Sequence, residues 1–76
     1  MATSVLLPKL NFSMEEAHLA SWLVADGLFV AEGQPIYTVE TEKAVEEVPS
    51  PASGTLRILA DFGKTYRVGT ELALIE

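Results

Sequence analysis

Residues 35–48 have the sequence PIYTVETEKAVEEV, in which two runs of alternating apolar and polar residues flank a short polar bend. Alternation with a period of two is typical of β-strands that bury one face. We therefore expect strands at Pro35–Glu40 and Ala44–Val48, joined by a tight hairpin that carries Lys43. This hairpin falls near the middle of a chain of 76 residues.

The rest of the chain shows the same short apolar runs, separated by Gly, Pro, Asp and Asn, which indicates an all-β domain. Four more strands and two short extensions are expected near Ser4–Leu7, His18–Val24, Leu28–Val30, Thr55–Leu59, Tyr66–Val68 and Glu71–Ile75. One helical turn is conceivable at Ser13–Ala17, where a capping-type sequence is too short to form a helix alone.

The sequence also repeats at a spacing of 36 residues. Gly27 aligns with Gly63 and Gly33 with Gly69, and apolar residues recur where strands are expected. Two copies are too few for a solenoid. The repeat instead favours two half-domains, about residues 4–41 and 44–76, related by approximate two-fold symmetry in a sandwich. Chance recurrence of glycine turns in a small β domain is the alternative.

Composition narrows the possible functions. One domain of this size with 49% hydrophobic residues is expected to form a folded core, and the absence of cysteine excludes disulfides, thiolate metal sites and a cysteine nucleophile. Eleven acidic residues against five basic ones give a net charge of −6. This balance argues against nucleic acid and anionic membranes as partners, and favours basic surfaces of other proteins.

Most candidate sites have a plain structural interpretation. His18 is the single histidine, so a histidine metal site lacks ligands, and no spacing supports a triad with Ser21 or Ser53. Trp22 is expected in the core or half-buried. Four acids near the bend could suggest a cation site. We instead expect a solvated acidic face on strands whose side chains alternate outward, formed by Glu40, Glu42, Glu46 and Glu47.

Lys43 is the remaining chemical candidate. A nucleophilic lysine needs a lowered pKa, from burial or from neighbouring cations. The acidic neighbours Glu40, Glu42 and Glu46 instead favour the charged ammonium form. A lysine in this setting is either an ordinary surface residue or a substrate that another protein must activate and modify.

The order of motifs resembles the lipoyl domain of the biotinyl/lipoyl attachment family over essentially the whole chain. The segments that carry the resemblance are Ser13–Glu16 followed by Trp22, the paired Gly27 and Gly33, the hairpin Glu40–Ala44, the run Glu47–Gly54, and Val68-Gly69 with Leu72–Ile75. Ala17 and Leu28 depart from the family pattern, as does the pair Asn11-Phe12, and these positions bear on partner choice rather than on attachment.

The resemblance implies a flattened β-barrel or sandwich of two four-stranded antiparallel sheets, with pseudo-two-fold symmetry. It also implies that residues 1–76 form one carrier domain, with lipoic acid in amide linkage to Lys43 at the tip of the hairpin. Recognition around the attachment site would involve Glu40, Glu42, Ala44 and Glu46. Such a carrier has no active site of its own, because the cofactor and the partner enzymes perform the chemistry.

The partners implied by the family are a lipoate ligase or other lipoylation machinery, a thiamine-dependent 2-oxo acid dehydrogenase, an acyltransferase core and dihydrolipoamide dehydrogenase. A bacterial cytoplasm or a mitochondrial matrix is the expected location. Two alternatives stay open. A biotin carboxyl carrier is disfavoured because such carriers have methionines beside the lysine, where this chain has Glu42 and Ala44. An unmodified module that binds proteins through its acidic face is the other.

Overall fold

The computed structural model describes residues 2–10, 13–42 and 44–76, and its regular structure there consists entirely of β-strands. The eight strands are β1 Thr3–Leu6, β2 Glu16–Trp22, β3 Phe29–Val30, β4 Pro35–Glu40, β5 Val45–Pro49, β6 Gly54–Ile58, β7 Lys64–Arg67 and β8 Glu71–Ile75. The described ranges contain no helix that could span a membrane. The conceivable helical turn at Ser13–Ala17 is not formed there, because β2 already begins at Glu16 and pairs with β7.

The strands form two four-stranded antiparallel sheets, one with the order β1-β8-β6-β3 and the other with the order β5-β4-β2-β7. This confirms the expected all-β class and the two sheets. The sheets stay separate, so the molecule is a sandwich rather than a closed barrel. Apolar side chains from both sheets fill the space between them, among them Leu19, Ile36, Val39, Leu56 and Leu72, all of which are at most 1% exposed.

The two halves of the chain have the same topology, because exchanging each strand with the one four places away in the chain (β1 with β5, β2 with β6, β3 with β7, β4 with β8) converts the order of one sheet into that of the other. The repeated glycines also share their backbone conformation. Gly27 and Gly63 have φ of 88° and 83°, while Gly33 and Gly69 have φ of 86° and 92°. A positive φ is costly for residues with a side chain, so glycine at these turns is required by the backbone.

The repeat has two offsets rather than one. Strands β2 to β4 match β6 to β8 at the spacing of 36 residues, so Ile75 corresponds to Val39. Thr3 pairs with Ile75 and Glu46 pairs with Val39, so β1 matches β5 at a spacing of 43 residues. The difference arises because residues 7–15 separate Leu6 from Glu16, whereas only residues 50–51 separate the matching Pro49 and Ala52.

The symmetry sets the position of the central hairpin. The end of the β4–β5 pair corresponds to the end of the β1–β8 pair, where Thr3 lies opposite Ile75. A two-fold axis that exchanges these pairs places them at opposite ends of a molecule 32 Å long and 19 Å wide. The Thr3–Ile75 pair therefore lies at the end remote from the Glu40–Val45 pair.

Candidate functional site

The hairpin between β4 and β5 closes through one threonine and one alanine. Glu40 pairs with Val45 as the last rung, and the N–H of Thr41 donates to the carbonyl oxygen of Ala44 at 2.9 Å. The Thr41 hydroxyl donates to the same carbonyl at 3.1 Å and accepts from the Ala44 N–H at 3.3 Å. These contacts fix both ends of a connection that contains two residues, 42 and 43.

Lys43 itself lies outside the described residues, so its expected place at the tip stays a prediction. Its two chain neighbours, Glu42 and Ala44, are both exposed. A lysine between exposed neighbours on a closed hairpin is accessible to a second protein, which is compatible with the amide linkage that the family resemblance implies.

A groove with a volume of about 600 Å³ runs beside this hairpin. One wall is the end of the hairpin, and the other is the connection between β1 and β2 together with the start of β2. The residues that line it are Leu10, Ser13, Met14, Glu15, Glu16, Thr41, Glu42, Ala44 and Glu46. Among these nine described residues, four carry carboxylates and none is basic.

Glu46 occupies a different face of the sheet from the one expected. It lies directly opposite the fully buried Val39 in the β4–β5 register, so both side chains belong to the inner face. Glu46 is nevertheless exposed, because it lines the open groove rather than the closed core. Glu47 lies opposite Thr38 on the outer face. The expectation that all these acids alternate outward is therefore wrong for Glu46.

The other predicted acids keep their expected exposure. Glu40, on the outer face opposite Val45, and Glu42, at the bend, are both exposed. Leu10, Met14, Glu15 and Glu16 were not among the predicted recognition residues, although the structure brings them to the hairpin. The acidic pair Glu15-Glu16 was the one local signal that could have suggested them.

The remaining candidates have structural roles. His18 lies within β2, with Nδ1 3.4 Å from the Thr65 hydroxyl. Within the described ranges, no group of three or more His, Asp or Glu residues could hold a metal ion. Trp22 is half-buried, packs against the core and donates from Nε1 to the Ala60 carbonyl oxygen at 3.0 Å. Neither residue takes part in the groove.

Comparison with protein families gives one match that covers the whole sandwich. The model of the biotin- and lipoyl-binding family, described as "Biotin-requiring enzyme", matches residues 3–75. The lipoyl domain of the 2-oxoglutarate dehydrogenase complex from Azotobacter vinelandii has a similar structure, with a TM-score of 0.76 and 27% identity. That alignment covers 96% of this chain and 94% of the other.

Relatives from three kinds of complex are similar to the chain at nearly equal identity. The acetyltransferase component of the pyruvate dehydrogenase complex from Corynebacterium glutamicum is 41% identical over 75 residues, which are 97% of the chain and 11% of the relative. The succinyltransferase component of the 2-oxoglutarate dehydrogenase complex from Bartonella vinsonii is 38% identical, and covers 100% of the chain and 19% of the relative.

The lipoamide acyltransferase component of the branched-chain alpha-keto acid dehydrogenase complex from Pseudomonas putida is 37% identical. The alignment covers 100% of the chain and 18% of the relative. The chain thus spans between about a tenth and a fifth of the length of these relatives. Its identity to them does not separate the pyruvate, 2-oxoglutarate and branched-chain classes.

Proposed function

The chain belongs to the biotinyl/lipoyl attachment family, and from this premise we propose that it is a lipoyl carrier domain with lipoic acid in amide linkage to Lys43. The observation that carries the proposal is the closed hairpin at residues 40–45, whose exposed residues 42 and 44 flank the lysine. Lipoate is favoured over biotin by these two neighbours. The names of the curated relatives, all acyltransferases of lipoamide or dihydrolipoyllysine, support the same choice.

The residues of the chain serve placement and recognition. The Thr41–Ala44 contacts hold the bend at a fixed height above the sheets, so a ligase can recognise the position as well as the sequence. When bound, the lipoyl group would supply a disulfide that accepts acyl groups and reducing equivalents on a long flexible arm. The domain would raise the local concentration of that arm at successive active sites through its tether.

The partners follow from the same proposal. The chain would be part of, or a partner to, a dihydrolipoamide acyltransferase. It would exchange groups with a thiamine-dependent dehydrogenase, the acyltransferase core and dihydrolipoamide dehydrogenase, in a bacterial cytoplasm or a mitochondrial matrix. The Thr3–Ile75 pair lies at the end remote from the Glu40–Val45 pair, which leaves the hairpin end accessible to these partners.

The attachment is tested by incubating the domain with lipoate, ATP and a lipoate ligase, followed by intact mass spectrometry. One lipoyl group should add to the wild type. Lys43→Arg should abolish the addition, whereas Lys9→Arg and Lys64→Arg, which change the two other lysines, should leave it intact. An adduct on Lys9 or Lys64, or no adduct, would refute the proposal. Modification by a biotin ligase with capture on streptavidin would establish the biotin alternative instead.

Recognition by the dehydrogenase is tested separately with the acids of the hairpin. Replacing Glu42 and Glu46 by glutamine should leave the fold intact and slow the reductive acylation of the lipoylated domain by the cognate dehydrogenase, most strongly at low ionic strength. Glu32→Gln/Glu47→Gln is the matched control, because it also removes two carboxylates, neither of which lines the groove. Rates that stay the same in both variants across salt concentrations would rule out acidic steering.

A further inference from the structure

The turn that follows β2 contains the dipeptide Asp26-Gly27, and both residues are exposed. An aspartate followed by glycine is the pair in which the side chain reacts most readily with the main chain, because glycine has no Cβ to hinder the approach of its own amide nitrogen. The chain has one other aspartate, Asp61, and the bulky Phe62 follows it. Of the two aspartates, Asp26 is therefore the candidate for a spontaneous rearrangement of the backbone.

Both reacting groups of this dipeptide are held by β6. Asp26 Oδ1 accepts a hydrogen bond from the Ile58 N–H at 2.7 Å, and the Gly27 N–H donates to the Leu56 carbonyl oxygen at 2.7 Å. Ring closure requires the Gly27 nitrogen to lose its proton and to reach Asp26 Cγ. Both hydrogen bonds oppose this step, because one retains the proton and the other holds the carboxylate against β6.

The pseudo-two-fold symmetry provides an internal comparison. Gly63 corresponds to Gly27 at the spacing of 36 residues, and its N–H donates to the Leu19 carbonyl oxygen, also at 2.7 Å. The residue before Gly63 is Phe62, which has no carboxyl group. The glycine hydrogen bond is thus a feature of both halves of the fold, whereas the reactive carboxyl group is present at one of the two equivalent turns.

We propose that Asp26 is a site of spontaneous conversion to isoaspartate, and that its two hydrogen bonds to β6 gate the reaction. In the opened turn the Gly27 nitrogen attacks Cγ of the protonated Asp26 carboxyl group. A C–N bond forms, and the amide proton and the carboxyl hydroxyl leave together as water, which gives a cyclic succinimide. Water then opens the ring at either carbonyl and yields aspartate or isoaspartate, so the mass of the chain is unchanged.

Isoaspartate at this position would alter the contact between the two half-domains. The backbone would run through Cβ and Cγ of residue 26, which lengthens it by one methylene, and the remaining carboxylate would be attached to Cα. The turn could then no longer place this carboxylate on the Ile58 N–H while Gly27 stays on Leu56. Because local opening of a turn precedes the reaction, the rate of conversion reports how often residues 26–27 detach from β6. The proposal does not depend on attachment at Lys43.

The test compares folded protein with protein unfolded in guanidinium chloride during long incubation near neutral pH. Isoaspartate is quantified by labelling with an isoaspartyl methyltransferase and located by electron-transfer fragmentation, which distinguishes the two isomers despite their equal mass. Asp26 should convert at least about tenfold faster in the unfolded chain, where the gate is absent. Asp61 should convert more slowly than Asp26 in the same unfolded chain, and Asp26→Glu should remove the signal at position 26.

An unfolded chain without isoaspartate at position 26 would overturn the site. Equal rates in the folded and unfolded protein would overturn the gate. A failure of lipoylation at Lys43 would leave both standing, because the incubation uses the unmodified chain.

The hydrogen bond to Ile58 is tested with a pair of variants that both change its side chain. Ile58→Pro removes the N–H that Asp26 accepts from, whereas Ile58→Ala keeps this N–H and only shortens the side chain. With folding verified by circular dichroism, Ile58→Pro should convert Asp26 about threefold faster than Ile58→Ala, because one of two closing hydrogen bonds is lost. Equal conversion rates in the two variants would contradict the role of this bond.

A further measurement needs no variant, so it holds even if Ile58→Pro does not fold. In the wild type, hydrogen exchange of the Gly27 amide and isoaspartate formation at Asp26 should rise in parallel as denaturant is added below the unfolding transition. Conversion that stays constant while the Gly27 amide exchanges faster would overturn the gate.

Discussion

Tyr37 lies in the middle of β4 with no exposed surface, and its ring is tilted against Trp22 at a centroid distance of 5.2 Å. Its hydroxyl is the one buried side-chain polar atom of the described residues without a hydrogen-bond partner. A buried hydroxyl of this kind costs about 1–3 kcal/mol of unfolding free energy. We therefore expect Tyr37→Phe to raise the stability at pH 7 by about 1 kcal/mol, after partial relaxation of the neighbouring side chains.

The same burial makes the effect depend on pH. Burial raises the pKa of Tyr37 from 10.0 to about 12. Between these values the tyrosine ionises in the unfolded chain but stays neutral in the folded one, so rising pH favours unfolding. The neutral Tyr37 therefore leaves the unfolding free energy independent of pH below pH 10. Above pH 10 the unfolding free energy falls by about 1.4 kcal/mol per pH unit, or about 2.7 kcal/mol between pH 10 and 12. Tyr37→Phe removes this loss.

The assay is urea unfolding at a series of pH values from 7 to 12, followed by circular dichroism and by the fluorescence of Trp22, the single tryptophan. The advantage of Tyr37→Phe over the wild type should grow above pH 10. Tyr66→Phe is the control, because the Tyr66 hydroxyl donates to the Asp61 carbonyl oxygen at 2.9 Å, and its loss should destabilise the domain at pH 7. A Tyr37→Phe variant that is less stable at pH 7, or whose advantage is constant with pH, would refute the reasoning.

Two further variants test the fold and the hairpin. Gly54→Ala should cost about 2–3 kcal/mol of unfolding free energy, because the new Cβ would overlap the Glu76 carbonyl oxygen and lie 2.9 Å from Ile75 Cγ2. Gly63→Ala has open space around its Cβ and should cost about 1–2 kcal/mol, because alanine disfavours the positive φ there. A denaturant titration that finds Gly63→Ala the more damaging variant would contradict the register of β6 and β8. Thr41→Val should lose the hydroxyl contacts to Ala44, lower the unfolding free energy by about 1 kcal/mol and slow ligase-catalysed lipoylation. Thr41→Ser keeps the hydroxyl and should retain the wild-type stability and lipoylation rate. Equal lipoylation rates in Thr41→Val and the wild type would show that the hydroxyl does not position the bend.

Much of the fold could be predicted, because its main signals are local. Alternation identified β4 and β5 nearly to the residue, and the glycine repeat identified the pseudo-symmetry, since each of those glycines occupies a turn with positive φ. The start of β2 was placed at His18 instead of Glu16, because its first residues are defined by pairing with the distant β7. The match between β1 and β5 was missed since the connections that follow them differ in length.

The hairpin of the candidate site was predictable from the sequence, whereas the groove beside it was not. The residues on both sides of Lys43 follow from one hairpin. The groove depends on long-range packing, because Leu10 and Met14 reach the hairpin from the connection between β1 and β2. The face of Glu46 also depends on tertiary structure. The strand register places the Glu46 side chain on the inner face of its sheet. The side chain is nevertheless exposed, because the groove leaves this part of the inner face open to solvent.

The most direct test of the carrier function is a tryptic peptide map of the protein isolated from its own cell. Trypsin cleaves after lysine and arginine, but an acylated lysine is not cleaved. If Lys43 carries lipoate, one peptide should span residues 10–57 and should exceed its sequence mass by one lipoyl group. Separate unmodified peptides 10–43 and 44–57 would contradict the proposal, as would the longer peptide with the mass of biotin.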